Sequence, residues 1–115
     1  MKNILIIGGD KRSVYLSDLF EKHEYKVRKS FLLNDSNNVQ ENIKQSEIII
    51  VPMPASTDNI HIYTPLSDED FEISELVNLT KGKVVIGGKL SADFIRMLEN
   101  NNNKVFDLMS NKELV

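Results

Sequence analysis

The chain has 115 residues, which is enough for one domain and short for two. It contains no cysteine, which excludes disulfides and thiolate metal sites, and its net charge of -3 with scattered basic residues gives no reason to expect nucleic-acid binding. The apolar run at the start is too short for a signal peptide, and no stretch reaches the roughly 18 apolar residues of a membrane span. We therefore predict a single soluble, cytoplasmic domain over residues 1–115, with no membrane or nucleic-acid partner.

Short apolar runs alternate with helical patterns along the chain, which is the order expected of βαβ units. The run at 3–8 lacks polar alternation, as is typical of a strand buried on both faces of a parallel sheet. In chain order, the predicted elements are a strand at 3–8, a helix at 11–23, a strand at 26–32, a turn at 34–37 with a weak helix to 45, a strand at 47–51, a helix at 74–80, a strand at 83–86, a helix ending near 100 and a strand at 104–106. The pattern predicts an α/β fold, a Rossmann-like or flavodoxin-like three-layer sandwich whose mostly parallel sheet has about five strands.

Local signals refine three parts of this outline. Asp10 and Ser91 precede predicted helices and can cap them through their side-chain oxygens. The apolar residues of the first helix share one face, which we expect to pack on the sheet, and they are Tyr15, Leu16, Leu19 and Phe20. Residues 55–71 are the least regular part, and apolar residues alternate with polar ones only at its two ends. A small hairpin and a long loop both remain open there.

Three loops follow the first, third and fourth predicted strands, and ligands of parallel α/β sheets bind at the carboxyl ends of the strands. These loops are residues 8–12, 52–57 and 87–89. The first resembles a nucleotide-binding loop only in part, because residues 8–13 lack the third glycine of G-x-G-x-x-G and the Gly-Lys-Ser/Thr of a P-loop. Asp10 would also place a negative charge where a pyrophosphate should lie. We predict that this domain alone binds no NAD(P).

Each polar residue of these loops has a structural and a functional interpretation. Asp10 can be a helix cap and Arg12 a solvated residue, or Arg12 and free helix N–H groups can hold a carboxylate ligand. Ser56 and Thr57 can cap or form a turn, or they can donate hydrogen bonds to the same ligand. Lys89 is a plain surface lysine or adds positive charge. The sequence leaves both interpretations open for all five residues.

The remaining titratable residues form no recognisable catalytic or metal-binding set. His23 lies at the end of the first helix, where a cation is favoured, and His61 lies in the irregular segment. Neither has a partner at metal-ligand spacing, so we interpret both as structural or exposed. Residues 68–70, Asp-Glu-Asp, lack a calcium-loop pattern and are interpreted as a solvated loop. We therefore predict no metal site and leave the catalytic residues unassigned.

Two motifs in these loops resemble a known family. Residues 6–12, IIGGDKR, and residues 51–57, VPMPAST, resemble the amino-terminal domain of the A-subunit of dipicolinate synthase. Residues 104–109, KVFDLM, are similar to the stretch before that family's domain junction. The likeness covers essentially the whole chain, which ends on apolar residues at 114–115, whereas natural termini are usually polar. We expect the chain to belong to a longer polypeptide.

The resemblance implies an NAD(P)-dependent oxidoreductase that oxidises a dihydrodipicolinate-type precursor to dipicolinate during sporulation, in the cytoplasm of the mother cell. It implies three partners: a carboxy-terminal Rossmann domain that holds the cofactor, the B-subunit of dipicolinate synthase and a small dicarboxylate substrate. The domain alone is expected to be inactive. The residues that match the family's two loops are the predicted substrate-binding residues, and they are Gly8, Gly9, Asp10, Arg12, Ser56 and Thr57.

An alternative is a non-catalytic flavodoxin-like binding module or a subunit-interaction module, for which a homo-oligomer is one form. A phosphate-accepting receiver domain is disfavoured, because Gly8-Gly9 and Val51-Pro52 stand where its acidic residues would be needed. A flavin-binding module would make the purified protein yellow. A mass measurement in solution would test the interaction module.

Overall fold

The computed structural model describes residues 3–33 and 38–108, so the predicted turn at 34–37 and the chain end at 111–115 lie outside the described residues. Strands and helices alternate within this part: β1 (Asn3–Ile7), α1 (Lys11–Lys22), β2 (Lys26–Ser30), α2 (Val39–Lys44), β3 (Ile48–Ile50), α3 (Ile73–Leu79), β4 (Val84–Gly87), α4 (Ala92–Asn100) and β5 (Lys104–Asp107). None of these helices is long and apolar enough to cross a bilayer.

The five strands are all parallel and lie in the order β2-β1-β3-β4-β5. The predicted α/β fold with a parallel sheet of about five strands is therefore confirmed. The chain moves outward from β1 to β2 and then returns past β1 to β3, so its direction across the sheet reverses between β1 and β3. In sheets of this kind, ligands bind at the carboxyl ends of the strands where the order reverses.

Helices cover both faces of the sheet, but they do so unequally. One face packs against α2, α3 and α4, and its buried strand residues are Leu5, Ile7, Ile49, Val51 and Val85. The opposite face packs against α1, and its buried strand residues are Ile4 and Ile6. Among the described helices, α1 is the one that contributes to this second cluster.

The α1 face becomes more exposed toward the β5 edge of the sheet. The parallel register aligns Ile6, Ile50, Ile86 and Phe106, so the four side chains point to the same face. Their exposure rises from 1% at Ile6 to 52% at Phe106, and Leu108 beyond β5 is 66% exposed. We call the surface formed by Ile86, Phe106 and Leu108 the open strip. Parallel sheets are normally covered on both faces, so this strip is a surface suited to a further element.

The predicted helix caps are present. The carboxylate of Asp10 accepts the backbone N–H of Arg12 at 2.9 Å, and the hydroxyl of Ser91 accepts that of Phe94 at 3.1 Å. Each bond satisfies an N–H group that has no partner within its own helix. The caps start α1 and α4 at the predicted positions.

The predicted apolar face of α1 is wrong for half of its members. Leu16 and Phe20 pack toward the sheet, whereas Tyr15 is 71% and Leu19 is 39% exposed. Ser17 takes a buried place instead, with no exposed surface. Because the serine side chain is small, α1 can lie close to the sheet at this position. A hydrophobic pattern does not identify such a residue as part of the buried face.

The irregular segment between β3 and α3 is a long loop, and one antiparallel bridge between His61 and Glu72 joins its middle to its end. The N–H of Ile62 donates to the carbonyl of Phe71 at 2.8 Å. Phe71 is 2% exposed and stacks on Phe31, with ring centroids 4.7 Å apart. Both interpretations that the sequence left open are realised in part: residues 60–62 and 71–73 pair as a minimal antiparallel hairpin within a long loop, which Phe71 anchors in the core.

The stacked pair predicts a large cost for removing one ring. We expect Phe71→Ala to lower the free energy of unfolding by about 3–5 kcal/mol, because it leaves a cavity and unties the long loop. Tyr15→Ala, on the exposed face of α1, is the control and should change it by less than about 0.5 kcal/mol. Urea unfolding measures both, and equal effects would show that Phe71 does not anchor the loop.

Candidate functional site

The loops after β1, β3 and β4 meet at the carboxyl edge of the sheet and line a cavity of about 380 Å³. We call it the strand-tip cavity. Asp10 and Arg12 supply its charged groups. Most of its other lining residues are apolar, and they include Leu16, Phe20, Ile50 and Leu108. Since Leu108 and Ile86 line this cavity and also belong to the open strip, the two surfaces are continuous.

Arg12 is held by an ion pair with Asp10 at the mouth of the strand-tip cavity. Its Nη2 donates to the Asp10 carboxylate at 3.0 Å and to the carbonyl of Met53 at 2.7 Å, which ties the first loop to the second. The side-chain hydrogen bond between them lowers the pKa of Asp10 and raises the pKa of Arg12. Asp10 thus acts as helix cap and as counter-ion. Within the described part of the chain, Nη1 of Arg12 has no hydrogen-bond partner, so its N–H groups can still donate to a carboxylate.

The two glycines of the first loop are covered by the long loop. The N–H of Gly9 donates to the carbonyl of Tyr63 at 2.8 Å, and the N–H of Gly8 donates to that of Ser30 at 2.9 Å. A Cβ on Gly8, whose φ is +65°, would lie 2.7 Å from the Tyr63 carbonyl oxygen. The absence of a side chain at Gly8 therefore permits the two backbones to pack closely, whereas a Cβ on Gly9 would meet the side chain of Ser13. Both amides are already used, so they are not available to a phosphate or a carboxylate.

The second predicted pair, Ser56 and Thr57, lies in the long loop. The Ser56 hydroxyl accepts the N–H groups of Asp58 and Asn59 at 3.3 and 2.9 Å and donates to the Asp58 carboxylate at 3.2 Å. Its hydrogen bonds thus form the turn that the structural interpretation predicts. Thr57 lines a second, open cavity of about 430 Å³.

We call this second cavity the histidine cavity, because His61 is among its lining residues. It is mostly polar, and its other lining residues include Thr57, Asp58, Tyr63, Thr64 and Asp70. Its wall at residues 62–64 is the same stretch that packs against the first loop. The carbonyl of Tyr63 accepts the N–H of Gly9, so this wall of the histidine cavity lies directly against the first loop.

Asp58 and His61 form a pair that the sequence analysis missed. Nδ1 of His61 lies 2.8 Å from Oδ2 of Asp58, and this hydrogen bond raises the pKa of His61. The pKa of Asp58 is lowered, first by the backbone N–H of His61 and then by its ring. The three-residue spacing was the available signal, because an aspartate followed by a tight turn can bond backbone and side chain together. His61, interpreted as structural or exposed, is in fact paired and lines a cavity.

The other candidate residues have structural surroundings. The backbone N–H of Lys89, whose φ is +54°, donates to the Asp107 carboxylate at 3.2 Å. His23 is the C-cap residue of α1. Asp70 lines the histidine cavity, but no group of three potential metal ligands occurs in residues 3–33 or 38–108. None of these three adds a ligand-binding set to the two cavities.

Comparison with known proteins identifies the family. A model that describes the N-terminal domain of the dipicolinate synthase A-subunit matches residues 3–109. The chain belongs to this family. No protein with a curated description matches the sequence.

Two solved structures share the fold of this chain. The dipicolinate synthase A-subunit from Bacillus halodurans is 17% identical, with a TM-score of 0.75 over 98% of this chain and 42% of that chain. The corresponding chain of dipicolinate synthase from Bacillus subtilis is 19% identical, with a TM-score of 0.67 over 93% of this chain and 40% of that chain. The chain thus spans about two fifths of the length of these structures.

The structure does not place the six predicted substrate-binding residues of this dipicolinate synthase domain in one cavity. Asp10 and Arg12 line the strand-tip cavity, and Thr57 lines the histidine cavity. Gly8 and Gly9 lie beneath the wall between them, and Ser56 forms the adjoining turn. Their role in binding substrate stays a prediction, for which Arg12 and Thr57 retain suitable polar groups.

The packing role of Gly8 predicts a contrast with Gly82, which also has a positive φ but has no atom within 4 Å of an added Cβ. Both Gly→Ala changes should lose about 1–2 kcal/mol of stability through the left-handed backbone. Gly8→Ala should lose a further 1–3 kcal/mol or so, because the new methyl group meets the carbonyl of Tyr63. Urea unfolding measures the difference, and equal losses would contradict the close contact.

Proposed function

We propose that this domain forms the substrate side of a cleft in an NAD(P)-dependent dipicolinate synthase of the A-subunit family. In this proposal, a carboxy-terminal Rossmann domain of a longer chain holds the cofactor, and a dihydrodipicolinate-type precursor is oxidised to dipicolinate during sporulation. Family membership supports the enzyme class. The observation that carries the role of this domain is the ordered Arg12 guanidinium, which lines the strand-tip cavity at the carboxyl edge of the sheet and is bonded to Asp10 and to the carbonyl of Met53.

The substrate is a dicarboxylate in this proposal, and it lies across Tyr63. One carboxylate accepts hydrogen bonds from Nη1 of Arg12, and the other accepts a hydrogen bond from Thr57 in the histidine cavity. Asp10 fixes the guanidinium in place through its hydrogen bonds to Nε and Nη2. A side chain that is already ordered loses less entropy when a ligand binds. The ion pair with Asp10 therefore favours substrate recognition by Arg12, although it also neutralises part of the positive charge of Arg12.

The described residues do not fit a dinucleotide. The amides of Gly8 and Gly9 are engaged within the protein, and Asp10 lies where a pyrophosphate would need positive groups. NAD(P) is therefore assigned to the other domain, and the 115-residue chain is expected to have no dehydrogenase activity of its own. Its contribution is to bind and orient the substrate.

The open strip supports an interaction role beside the catalytic one. Phe106 and Leu108 are exposed on a face that parallel sheets normally cover. In our proposal the carboxy-terminal domain covers this strip, and the B-subunit of the synthase contacts the assembly elsewhere. A purely non-catalytic interaction module, including a homo-oligomer built on the strip, is the second candidate, and it is favoured by the same exposed residues.

Arg12 and Arg96 offer a matched test of substrate recognition. Each arginine pairs with a local aspartate at 3.0 Å, and their side chains are 69% and 67% exposed. We expect Arg12→Gln to weaken dipicolinate binding about 10- to 100-fold, as for the loss of a hydrogen bond to a charged group. Arg96→Gln should leave it unchanged. Calorimetric titration of the purified chain measures both, and equal affinities in the two variants would remove Arg12 from the site.

Cysteine labelling tests whether the open strip is covered. The chain has no cysteine of its own, so Phe106→Cys introduces a unique thiol. We expect a maleimide to label it rapidly in the 115-residue chain and at least about tenfold more slowly in the full-length protein, because local opening must precede reaction. Met97→Cys, on α4 across the sheet, is the control and should react alike in both proteins. Equal labelling of Phe106→Cys in the two proteins would show that the longer chain leaves the strip open.

A further inference from the structure

Asp58 holds His61 by its backbone and by its ring. The Asp58 Oδ1 atom accepts the N–H of His61 at 2.8 Å, and Oδ2 contacts Nδ1 of the ring at 2.8 Å. The Asp58 carboxylate also accepts the N–H of Ile60 at 2.8 Å, so it is itself fixed by the turn. The imidazole orientation is therefore set by one carboxylate with several hydrogen bonds. Within the described residues, Nε2 of His61 has no hydrogen-bond partner.

This arrangement sets which ring nitrogen can act as a base. An ionised carboxylate accepts hydrogen bonds only, so Nδ1 of a neutral His61 carries the proton and Nε2 carries the lone pair. His61 lines the histidine cavity together with Thr57, so a ligand bound by Thr57 lies in the same cavity as this ring. Asp58 fixes the orientation of the ring, and Nε2 is the ring nitrogen that remains available to accept a proton.

The charged groups that act on the ring are all acidic. They are Asp58, which is bonded to it, and Asp70 and Glu72 from the far end of the same loop. The hydrogen bond to Asp58 contributes most to the raised pKa of His61, and the other carboxylates add to it. All three stabilise the imidazolium, so the ring can retain a proton that it accepts.

We propose that His61, positioned by Asp58, is the residue that accepts a proton from the substrate in this cleft. This inference rests on the proposed function, because the oxidation of a dihydro ring to an aromatic ring releases one proton besides the hydride that a nicotinamide cofactor takes. An N–H or C–H bond of the substrate breaks, its electron pair stays in the ring, and the proton forms a bond with Nε2. His61 becomes a cation and Asp58 stays ionised. The proton then leaves to solvent, to which the histidine cavity is open.

The first test uses the 115-residue chain and ¹⁵N NMR of its histidine rings. At a pH where His61 is neutral, we expect the Nδ1–H tautomer, with Nε2 unprotonated. The pKa of His61 should lie above the ordinary value of about 6.5, and Asp58→Asn should lower it. The chain has two histidines, so His23→Gln identifies which ring signals belong to His61. This variant should not change the titration of His61. A neutral Nε2–H tautomer would overturn the inference.

The second test uses the full-length protein with a nicotinamide cofactor and the dihydro substrate. We expect His61→Gln to lower kcat by about 10²–10⁴-fold with a much smaller change in KM, as for the loss of a general base. In the wild type, kcat should rise with pH as His61 loses its proton. This rising limb of the pH profile should be absent in His61→Gln. Asp58→Asn should move the limb to lower pH, because it removes the main cause of the raised pKa.

The controls separate this inference from the proposed function. His23→Gln, at the end of α1, should retain wild-type kcat and the wild-type pH profile. Thermal unfolding of His61→Gln and Asp58→Asn shows whether each variant is folded under the assay conditions. A wild-type protein without activity overturns the proposed function and this inference together. An active wild type with an equally active His61→Gln overturns this inference alone.

Discussion

The backbone contact between the first glycine loop and the long loop organises the functional edge of this domain. The N–H of Gly9 donates to the carbonyl of Tyr63, and the N–H of Tyr63 donates to the carbonyl of Ala55, each at 2.8 Å. These bonds bring the chain from β3 back across the tip of β1, where the lack of a side chain at Gly8 makes room for it. The wall of the histidine cavity at residues 62–64 depends on this crossing.

This contact gives the glycine motif a role in backbone packing. A glycine pair after the first strand of a Rossmann-like sheet normally lets a phosphate approach backbone N–H groups. Here, the carbonyls of Tyr63 and Ser30 accept the N–H groups of Gly9 and Gly8, so both glycine amides are already used within the domain. The groups available at this edge are then those of side chains: Nη1 of Arg12, the Thr57 hydroxyl and the His61 imidazole. In the proposed function, these groups bind a small polar acid and accept a proton, and the cofactor-binding domain covers the open strip.

The sequence predicted those parts of the fold that follow from local pattern. Continuous apolar runs identified the central strands β1 and β3 because a parallel sheet buries both faces, and Asp10 identified the start of α1 because its cap is formed within three residues. The face of α1 was only half predicted, because buried Ser17 contributes by its small size and carries no hydrophobic signal. The long loop has no hydrophobic periodicity from which its path could be predicted. Its position depends on Phe71 stacking on Phe31, a contact between residues far apart in the chain.

The candidate site was predictable to a similar extent. The carboxyl ends of the strands, and with them Arg12, followed from the general behaviour of parallel sheets. The division of the predicted residues between two cavities did not, because it is decided by the path of the irregular loop. The bond between Asp58 and His61 was missed for the same reason. Their three-residue spacing permits such a bond, but the turn at Ser56 is what brings the carboxylate and the ring together.

Hydrogen exchange at the Gly9 amide, followed by NMR in the purified chain, tests this account most directly. The amide reports on the contact with Tyr63 alone, because the N–H of Gly8 is bonded to β2 instead. If the long loop closes over the glycine pair, the Gly9 amide should be protected to a degree comparable with the amides of β1. Exchange at the rate of an unprotected loop amide would show that the glycine loop is open, and would contradict the contact on which the wall of the histidine cavity depends.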